Sequence, residues 1–275
     1  MLYCLAKPFC CWLQEQFWIR AVENDGLALE WAPDGMKKNK NVVDAAVGNS
    51  GMALQFASPE LQGNEIIALR AVSNSGNSLE FVSGNLKNNF DIVSTALGHR
   101  GTALQFAHDD MKDNDHIVCM ALARTPYALK YVSERIHRSM DCVTQVVSRR
   151  GDALQFAHTD LQNNEQVVLF AVQQSGEALR FASDRMKNNL RVVLAAVEQS
   201  GEALRFASDR MKNNKPVVLA AVENDGSALQ YASDELKNDF EFVLAALRQN
   251  PDAIDHVPQD IYPSVPCLTV TRNTG

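Results

Sequence analysis

The sequence has no excess of positive charge: 26 Lys and Arg residues are outnumbered by 33 Asp and Glu residues, and the net charge is −7 at pH 7. A partner such as duplex nucleic acid requires a basic surface, so this composition argues against a nucleic-acid partner. The six cysteines are scattered, and none forms a CxxC pair with zinc spacing or part of a disulfide framework. We therefore expect no metal, no other cofactor and a reducing, cytoplasmic compartment.

The sequence also lacks an apolar run long enough to cross a membrane. The apolar first 22 residues are interrupted by Lys7, Pro8 and a polar run, and they contain no small-residue cleavage site of a signal peptide. Cys10 and Cys11, next to Trp12, are candidates for palmitoylation. The alternative interpretation is that this segment is a degenerate first repeat of the pattern described next.

The sequence does have a strict period of 25 residues. The octapeptide GEALRFAS occurs at residues 176–183 and again at residues 201–208. Glycines set the frame at Gly26, Gly51, Gly76, Gly101, Gly151, Gly176, Gly201 and Gly226, and Pro126 and Pro251 take the two remaining places. Such a period predicts a tandem array in which each repeat folds only against its neighbours. We predict a degenerate capping repeat over residues 1–25, nine repeats over 26–250, and a half-repeat with an irregular Pro-rich tail over 251–275.

Apolar residues within each repeat follow helical spacing. Counted from the Gly, position four is Leu and position six is aromatic in all nine repeats, with further apolar residues at positions three, seven and eleven. Positions seventeen, eighteen, twenty-one and twenty-two form a second apolar face. We therefore predict an all-α fold: a right- or left-handed α-solenoid of about nine 25-residue, two-helix repeats with degenerate caps. We expect the position-six aromatics to pack between neighbouring repeats.

Two columns of residues suit helix N-caps. Position fourteen is Asn in seven repeats, for example Asn189 and Asn214, and its side chain can accept hydrogen bonds from the free amides of the second helix. The alternative is a ladder of ligand-binding amides. The residue before each Gly is usually also a cap former, which places the Gly in the first turn of the first helix. A left-handed C-cap at Gly is the alternative, and it is excluded only where Pro126 and Pro251 stand.

The repeat unit resembles the family catalogued as domain of unknown function 4116. The resemblance rests on the pattern ALxFASxxLKNNxxVVLAAVxxSG, as in residues 178–201, and covers about residues 17–257. It implies tandem helical repeats in microbial proteins, including secreted effectors of intracellular bacteria. It carries over no catalytic residues.

The fifth repeat is basic within an acidic chain, and we predict that it binds a partner. An acidic protein segment, a phosphate group or an anionic lipid head would suit such a surface. The alternative is a solvated surface that has drifted, because Gln145 and Val146 replace the usual Ala pair there. The candidate residues are Arg124, Lys130, Arg135, Arg138, Arg149 and Arg150.

Other patterns carry weaker predictions. His108 and His116, near acidic residues, occupy columns that other repeats fill without His, so we do not predict a metal site. We expect Cys119 and Cys142 to be buried as small apolar residues. Positions five, nine, ten, sixteen, twenty and twenty-three vary most, which is typical of a solenoid recognition surface. The Leu residues at position nineteen are either core or an apolar binding stripe.

Together these patterns predict a monomeric, non-enzymatic scaffold that binds a protein partner. We expect no enzymatic activity because the sequence contains no Ser elbow, no Gly-rich phosphate loop and no carboxylate pair outside the repeat columns. From the resemblance we expect a secreted bacterial effector that acts in the host cytosol. The alternative is a membrane-associated adaptor. It would use Cys10, Cys11 and the N-terminal aromatic residues, with the basic fifth repeat on anionic lipid.

Overall fold

The computed structural model describes residues 3–258, with side chains from residue 12 onward. Every regular element in this range is a helix, and none is a strand. A typical repeat contains a six-residue 3-10 helix, then a four-residue α-helix, then a ten-residue α-helix, as in Gly176–Phe181, Asp184–Lys187 and Leu190–Gln199. We call these the 3-10 helix, the short helix and the long helix of each repeat. The all-α solenoid predicted from the sequence is confirmed.

The element bounds repeat with the 25-residue period. The 3-10 helices are Gly26–Trp31, Gly51–Phe56, Gly76–Phe81, Gly101–Phe106, Pro126–Tyr131, Gly151–Phe156, Gly176–Phe181, Gly201–Phe206, Gly226–Tyr231 and Pro251–His256. The short helices are Asp34–Lys37, Pro59–Gln62, Asp109–Lys112, Glu134–His137, Thr159–Gln162, Asp184–Lys187, Asp209–Lys212 and Asp234–Lys237, and a 3-10 turn, Leu86–Asn88, takes this place in the third repeat. The long helices are Tyr3–Asn24, Lys40–Asn49, Glu65–Asn74, Phe90–His99, Asp115–Arg124, Met140–Val147, Glu165–Gln174, Leu190–Gln199, Lys215–Asn224 and Phe240–Gln249.

The chain divides into two compact units, residues 1–136 and 137–275. The division falls inside the fifth repeat, whose long helix, Met140–Val147, has only eight residues. In each unit the ten-residue long helices pack against neighbouring long helices. Those from Lys40–Asn49 to Lys215–Asn224 also pack against their own 3-10 helix and the next one, whereas Phe240–Gln249 packs against the following one, Pro251–His256. The predicted tail beyond residue 258 and the side chains of Cys10 and Cys11 lie outside the described residues.

The first half of each repeat differs from the single helix that the sequence predicted. The 3-10 helix ends because positions seven and eight are extended, with φ −72° and ψ 157° at Ala182 and φ −63° and ψ 160° at Ser183. The N–H of Ser183 donates to the carbonyl of Gln162 in the preceding repeat at 3.0 Å, and Ser208 and Lys187 form the same bond. A long-range backbone hydrogen bond thus replaces an intrahelical one and splits the predicted helix in two.

The predicted N-cap column at position fourteen is confirmed. Asn189 Oδ1 accepts the N–H groups of Arg191 and Val192, and Asn214 Oδ1 accepts that of Val217. Ser139 and Asp239 cap their helices in the same way. The long helices therefore begin where local side-chain chemistry satisfies their free amides.

The frame glycines are required by a close backbone approach. None has a positive φ, so the alternative of a left-handed C-cap is wrong. A Cβ added to Gly26 would lie 2.5 Å from the carbonyl oxygen of Ala46 in the long helix of the same repeat. The same carbonyl position faces Gly176 and Gly201. A side chain at these glycines would push the two helices apart.

The position-six aromatics lie at the edge of the core rather than inside it. Trp31 is 77% exposed and the other aromatics of this row are half-buried, whereas the position-four Leu residues, such as Leu179 and Leu204, are fully buried. Core residues come from positions three, four, seven, seventeen, eighteen, twenty-one and twenty-two, and in most repeats from position eleven. The expected burial of Cys119 is also wrong, since it is exposed, and Cys142 is half-buried.

Candidate interaction surface

The 3-10 helices present an exposed polar row beside the half-buried aromatic row. Position five is exposed in the second unit at Gln155, Arg180, Arg205 and Gln230. The guanidinium of Arg180 lies over the ring of Phe181 at 4.4 Å, and that of Arg205 lies over Phe206 at 4.5 Å. Stacking on a ring holds a guanidinium flat while its N–H groups stay in solvent. These pairs form a surface that can bind carboxylates and apolar groups side by side.

The first unit carries a groove at the equivalent place, around the predicted site residue Lys130. Its volume is about 390 Å³, and it is lined by Gln105, Asp109, Lys112, Lys130, Tyr131, Val132 and Ser133. Lys130 Nζ lies 5.7 Å from the centre of the Tyr131 ring. Lys112 Nζ bonds Asp109 Oδ1 at 3.0 Å, and this hydrogen bond, with the positive charge, lowers the pKa of Asp109.

Arg135 is held inside a network of the first unit. Its Nε lies 3.0 Å from Asp113 Oδ1 and its Nη2 lies 2.8 Å from Asp115 Oδ1. The hydroxyl of Ser133 also donates to Asp113. The Ser133 hydrogen bond and then Arg135 lower the pKa of Asp113, and the Asp115 and Asp113 hydrogen bonds raise the pKa of Arg135. This arginine braces neighbouring repeats.

The remaining basic residues divide between the units. Arg124 lies in the first unit, is exposed and makes no ion pair with any residue from 12 to 258. In the second unit Arg138 pairs with Asp160 at 3.4 Å and Arg150 with Asp152 at 3.3 Å. Arg149 is exposed there. The basic fifth repeat as a binding site stays a prediction, with Arg124, Lys130 and Arg135 on one unit and the other three on the second.

Sequence reasoning missed a clamp at position twenty-four. Asn49 Oδ1 accepts the N–H of Gly26 at 2.8 Å, and Asn49 Nδ2 donates to the carbonyl of Glu23 in the preceding repeat at 2.8 Å. Asn224 makes the equivalent bonds to Gly201 and Glu198. The sequence did contain a signal for these bonds. Aligned repeats show Asn or Gln at position twenty-four in six of nine cases, two residues before the next Gly or Pro of the frame.

His108, one of the two histidines considered as metal ligands, acts as a helix cap, and so does His158 at the same position two repeats further on. Nδ1 of His108 accepts the N–H of Asp110 at 3.2 Å, and Nδ1 of His158 accepts that of Asp160 at 3.1 Å. His116 instead stacks on Phe90, with ring centres 5.7 Å apart. Among the described residues, no group of three or more His, Cys, Asp and Glu is placed to hold a metal ion.

Two apolar surfaces lie away from the 3-10 helices. Trp12, Leu13 and Phe17 on helix Tyr3–Asn24 are 54%, 52% and 65% exposed, beside a groove of about 560 Å³. In the second unit the position-nineteen residues Leu169, Leu194, Leu219 and Leu244 are half-buried, so they form a surface stripe outside the fully buried core. No described helix is both long and apolar enough to span a membrane.

The geometry defines a class of protein, an α-solenoid built from tandem helical repeats. A family model, Domain of unknown function (DUF4116), matches seven overlapping stretches: residues 15–62, 64–112, 94–137, 139–187, 164–212, 189–231 and 214–262. These cover most of the chain, which therefore belongs to this family. No curated protein and no solved structure matches the chain.

Proposed function

We propose that this protein is a non-enzymatic scaffold that binds a protein partner along its 3-10 helices. The observation that carries this proposal is the exposed position-five row beside half-buried aromatics, with Arg180 and Arg205 stacked on Phe181 and Phe206. Aromatic and Arg side chains are enriched at the centres of protein interfaces, because they offer large contact areas with directed hydrogen bonds.

The chemistry of this surface suits a segment that alternates acidic and apolar side chains. Arg205 Nη2 already lies 3.1 Å from Glu177 Oε1 of the preceding repeat, which shows that a carboxylate fits against the stacked guanidinium. Lys130 beside Tyr131 offers the same combination in the first unit. Apolar side chains of the partner would cover the aromatic rings while its carboxylates reach the cations.

The proposal extends to a secreted bacterial effector that acts in the cytosol of a host cell. The support is the resemblance of the repeats to microbial proteins that include effectors. Expression of the tagged protein in host cells, followed by fractionation, tests this part. Recovery in the cytosolic fraction is expected, and recovery in another compartment would contradict it.

Affinity capture from host-cell lysate tests partner binding. A front variant reverses three charges on the 3-10 helices: Lys130→Glu, Arg180→Glu and Arg205→Glu. A matched variant reverses three exposed charges on long helices of the first unit: Arg20→Glu, Lys40→Glu and Arg70→Glu. Both variants must first give the helical circular dichroism of the unmodified protein.

The expected result is a partner that the unmodified protein and the matched variant retain and the front variant loses. Because both variants change the net charge equally, the difference isolates the surface. A partner that all three proteins retain would reject the 3-10 surface. Capture of nothing by any of them would reject the scaffold proposal for that lysate.

A second candidate function is a membrane-associated adaptor, and the exposure of Leu13 and Phe17 favours it. Aromatic and aliphatic side chains on one helix face bury well at a lipid interface. In this alternative the cations of the fifth repeat contact anionic lipid heads.

Vesicle flotation tests this alternative. The protein should float with phosphatidylcholine–phosphatidylserine vesicles, and the Leu13→Ser, Phe17→Ser double variant should stay in the dense fraction. Phe90→Ser is the control, because Phe90 is 43% exposed on a different helix. Failure of the unmodified protein to float would reject the adaptor.

A further inference from the structure

The long helices of the second unit expose a stripe that the proposed partner surface does not use. Position nineteen is Leu169, Leu194, Leu219 and Leu244 in four successive repeats, and all four are half-buried. Position twenty adds small or apolar side chains, Phe170, Ala195, Ala220 and Ala245, which are also half-buried. In the first unit the same two positions are interrupted by polar side chains in three of four repeats, at Asp44, at Arg70, and at Ser94 with Thr95. An apolar stripe repeated at one surface position indicates an interface.

The two ends of the long helices on either side of this stripe carry opposite charges. Residues at positions fifteen or sixteen lie near the N-terminal end of each long helix, and position twenty-three lies about 10 Å further along it. Each of three successive long helices has one exposed charged residue near its N-terminal end and an exposed residue of the opposite charge at position twenty-three. The pairs are Arg191 with Glu198, Lys215 with Glu223, and Glu241 with Arg248.

This arrangement is self-complementary. A two-fold axis along the stripe sets each long helix against the same helix of a second copy, with the N-terminal end of one opposite the C-terminal end of the other. Arg191 then meets the second copy's Glu198, and the other two pairs match in the same register. A two-fold axis across the stripe, between helices Leu190–Gln199 and Lys215–Asn224, would instead place Arg191 against Lys215 and Glu198 against Glu223, so the charges favour the axis along the stripe over this one.

We propose that the long helices of the second unit form a two-fold interface between two copies of this chain, Leu stripe against Leu stripe. Four ten-residue helices, each about 15 Å long and about 10 Å apart, present about 600 Å² per copy. The total of about 1,200 Å² lies at the lower end of specific interfaces and gives a reversible dimer. This proposal differs from the monomer expected from the sequence, and it leaves the 3-10 helices free for the proposed partner.

Some of these charges already have intrachain partners that remain compatible with the dimer. Arg191 lies 3.3 Å from Glu165, and Lys215 Nζ lies 2.6 Å from Asp239. The Arg191 side chain is 77% exposed and that of Lys215 is 55% exposed, so each keeps hydrogen-bond donors in solvent. Such exposed pairs are weak and exchange easily.

Charge reversal of the full-length protein tests the interface by sedimentation velocity over a concentration series. An acidic variant carries Arg191→Glu, Lys215→Glu and Arg248→Glu, and a basic variant carries Glu198→Lys, Glu223→Lys and Glu241→Lys. The unmodified protein should be a monomer–dimer equilibrium, and each variant alone should lose at least about tenfold in association constant. An equimolar mixture of the two variants should recover the dimer, because all facing charges are then opposite.

Two further variants separate the stripe from general surface effects. Leu194→Asp should abolish the dimer, and Leu69→Asp, the same position in the first unit, should leave it unchanged. Circular dichroism should show equal helicity for every protein compared. A monomer at all concentrations, dimers of both charge variants alone, or a mixture that stays monomeric would each overturn the proposal. None of these outcomes depends on the partner surface of the 3-10 helices.

Discussion

Asn49 joins two repeats through one side chain: its Oδ1 accepts the N–H of Gly26 and its Nδ2 donates to the carbonyl of Glu23, each at 2.8 Å. Asn49→Ala leaves both backbone groups without this partner, and we expect it to lower the free energy of unfolding by about 1–3 kcal/mol. Urea denaturation followed by circular dichroism measures the change. Asn41→Ala, which removes an exposed side-chain bond to Glu15, is the control and should cost less than about 0.5 kcal/mol.

A side chain at a frame glycine should destabilise the protein, and a glycine outside the frame provides the control. Gly201→Val places a side chain against the carbonyl of Ala221 and should destabilise the protein by about 2–3 kcal/mol in thermal or urea unfolding. Gly98 lies in helix Phe90–His99, and beyond its chain neighbours and the backbone of its own helix a Cβ there would meet no atom within 4 Å. Gly98→Ala should therefore stabilise by about 0.5–1 kcal/mol. Equal effects at the two sites would show that close packing does not explain the frame.

Ser78 predicts a stabilising substitution. Its hydroxyl is fully buried and has no hydrogen-bond partner among residues 12–258, and the other complete repeats have Ala at this position. Ser78→Ala removes an unsatisfied polar group without leaving a large cavity. The free energy of unfolding should therefore rise by about 1 kcal/mol, and the urea midpoint should rise with it. A lower midpoint would mean that the hydroxyl is satisfied in solution.

Substitutions at position fourteen can show whether these Asn residues cap the long helices or bind a ligand. Asn39→Ala removes two N-cap hydrogen bonds, to the N–H groups of Asn41 and Val42, and should cost about 1 kcal/mol, whereas Asn39→Asp retains an acceptor and should cost much less. Thermal unfolding of the two variants gives the comparison. If Asn39→Asp is as damaging as Asn39→Ala, capping is not the main role of the column.

The Asp113 network predicts an acid-dependent contribution to stability. Hydrogen bonds from Ser133 and Arg135 lower the folded-state pKa of Asp113 below its unfolded value, so the stabilisation is present above the unfolded value and is lost as pH falls through the folded pKa. We expect Arg135→Gln and Ser133→Ala to lower the urea midpoint at about pH 6, and both differences from the unmodified protein should shrink towards about pH 3. A difference that stays constant over this range would contradict the linkage.

Much of the architecture was predictable because it depends on local chemistry. The 25-residue period is visible in recurring residues such as Leu179 and Gly201. Each long helix starts at a side chain such as Asn189, which accepts hydrogen bonds from the amides two and three residues further on. Of the candidate site, the sequence identified the exposed position-five row and Lys130. It did not predict that Arg135 would be held by Asp113 and Asp115 of the preceding repeat.

The sequence by itself determined the repeat length, the all-α class and the N-caps of the long helices, because these arise from spacing and from contacts within a few residues. The predicted caps before the frame glycines are wrong at Ser50, Ser75, Ser175 and Ser200, whose side chains make no capping hydrogen bond. Only the tertiary structure decided the split of the first helix, since Ser183 bonds a carbonyl of Gln162 in another repeat. It also decided that Trp31 is exposed and that Leu194 lies on the surface. Both follow from how neighbouring repeats stack, and the hydrophobicity of a residue does not report which neighbour will cover it.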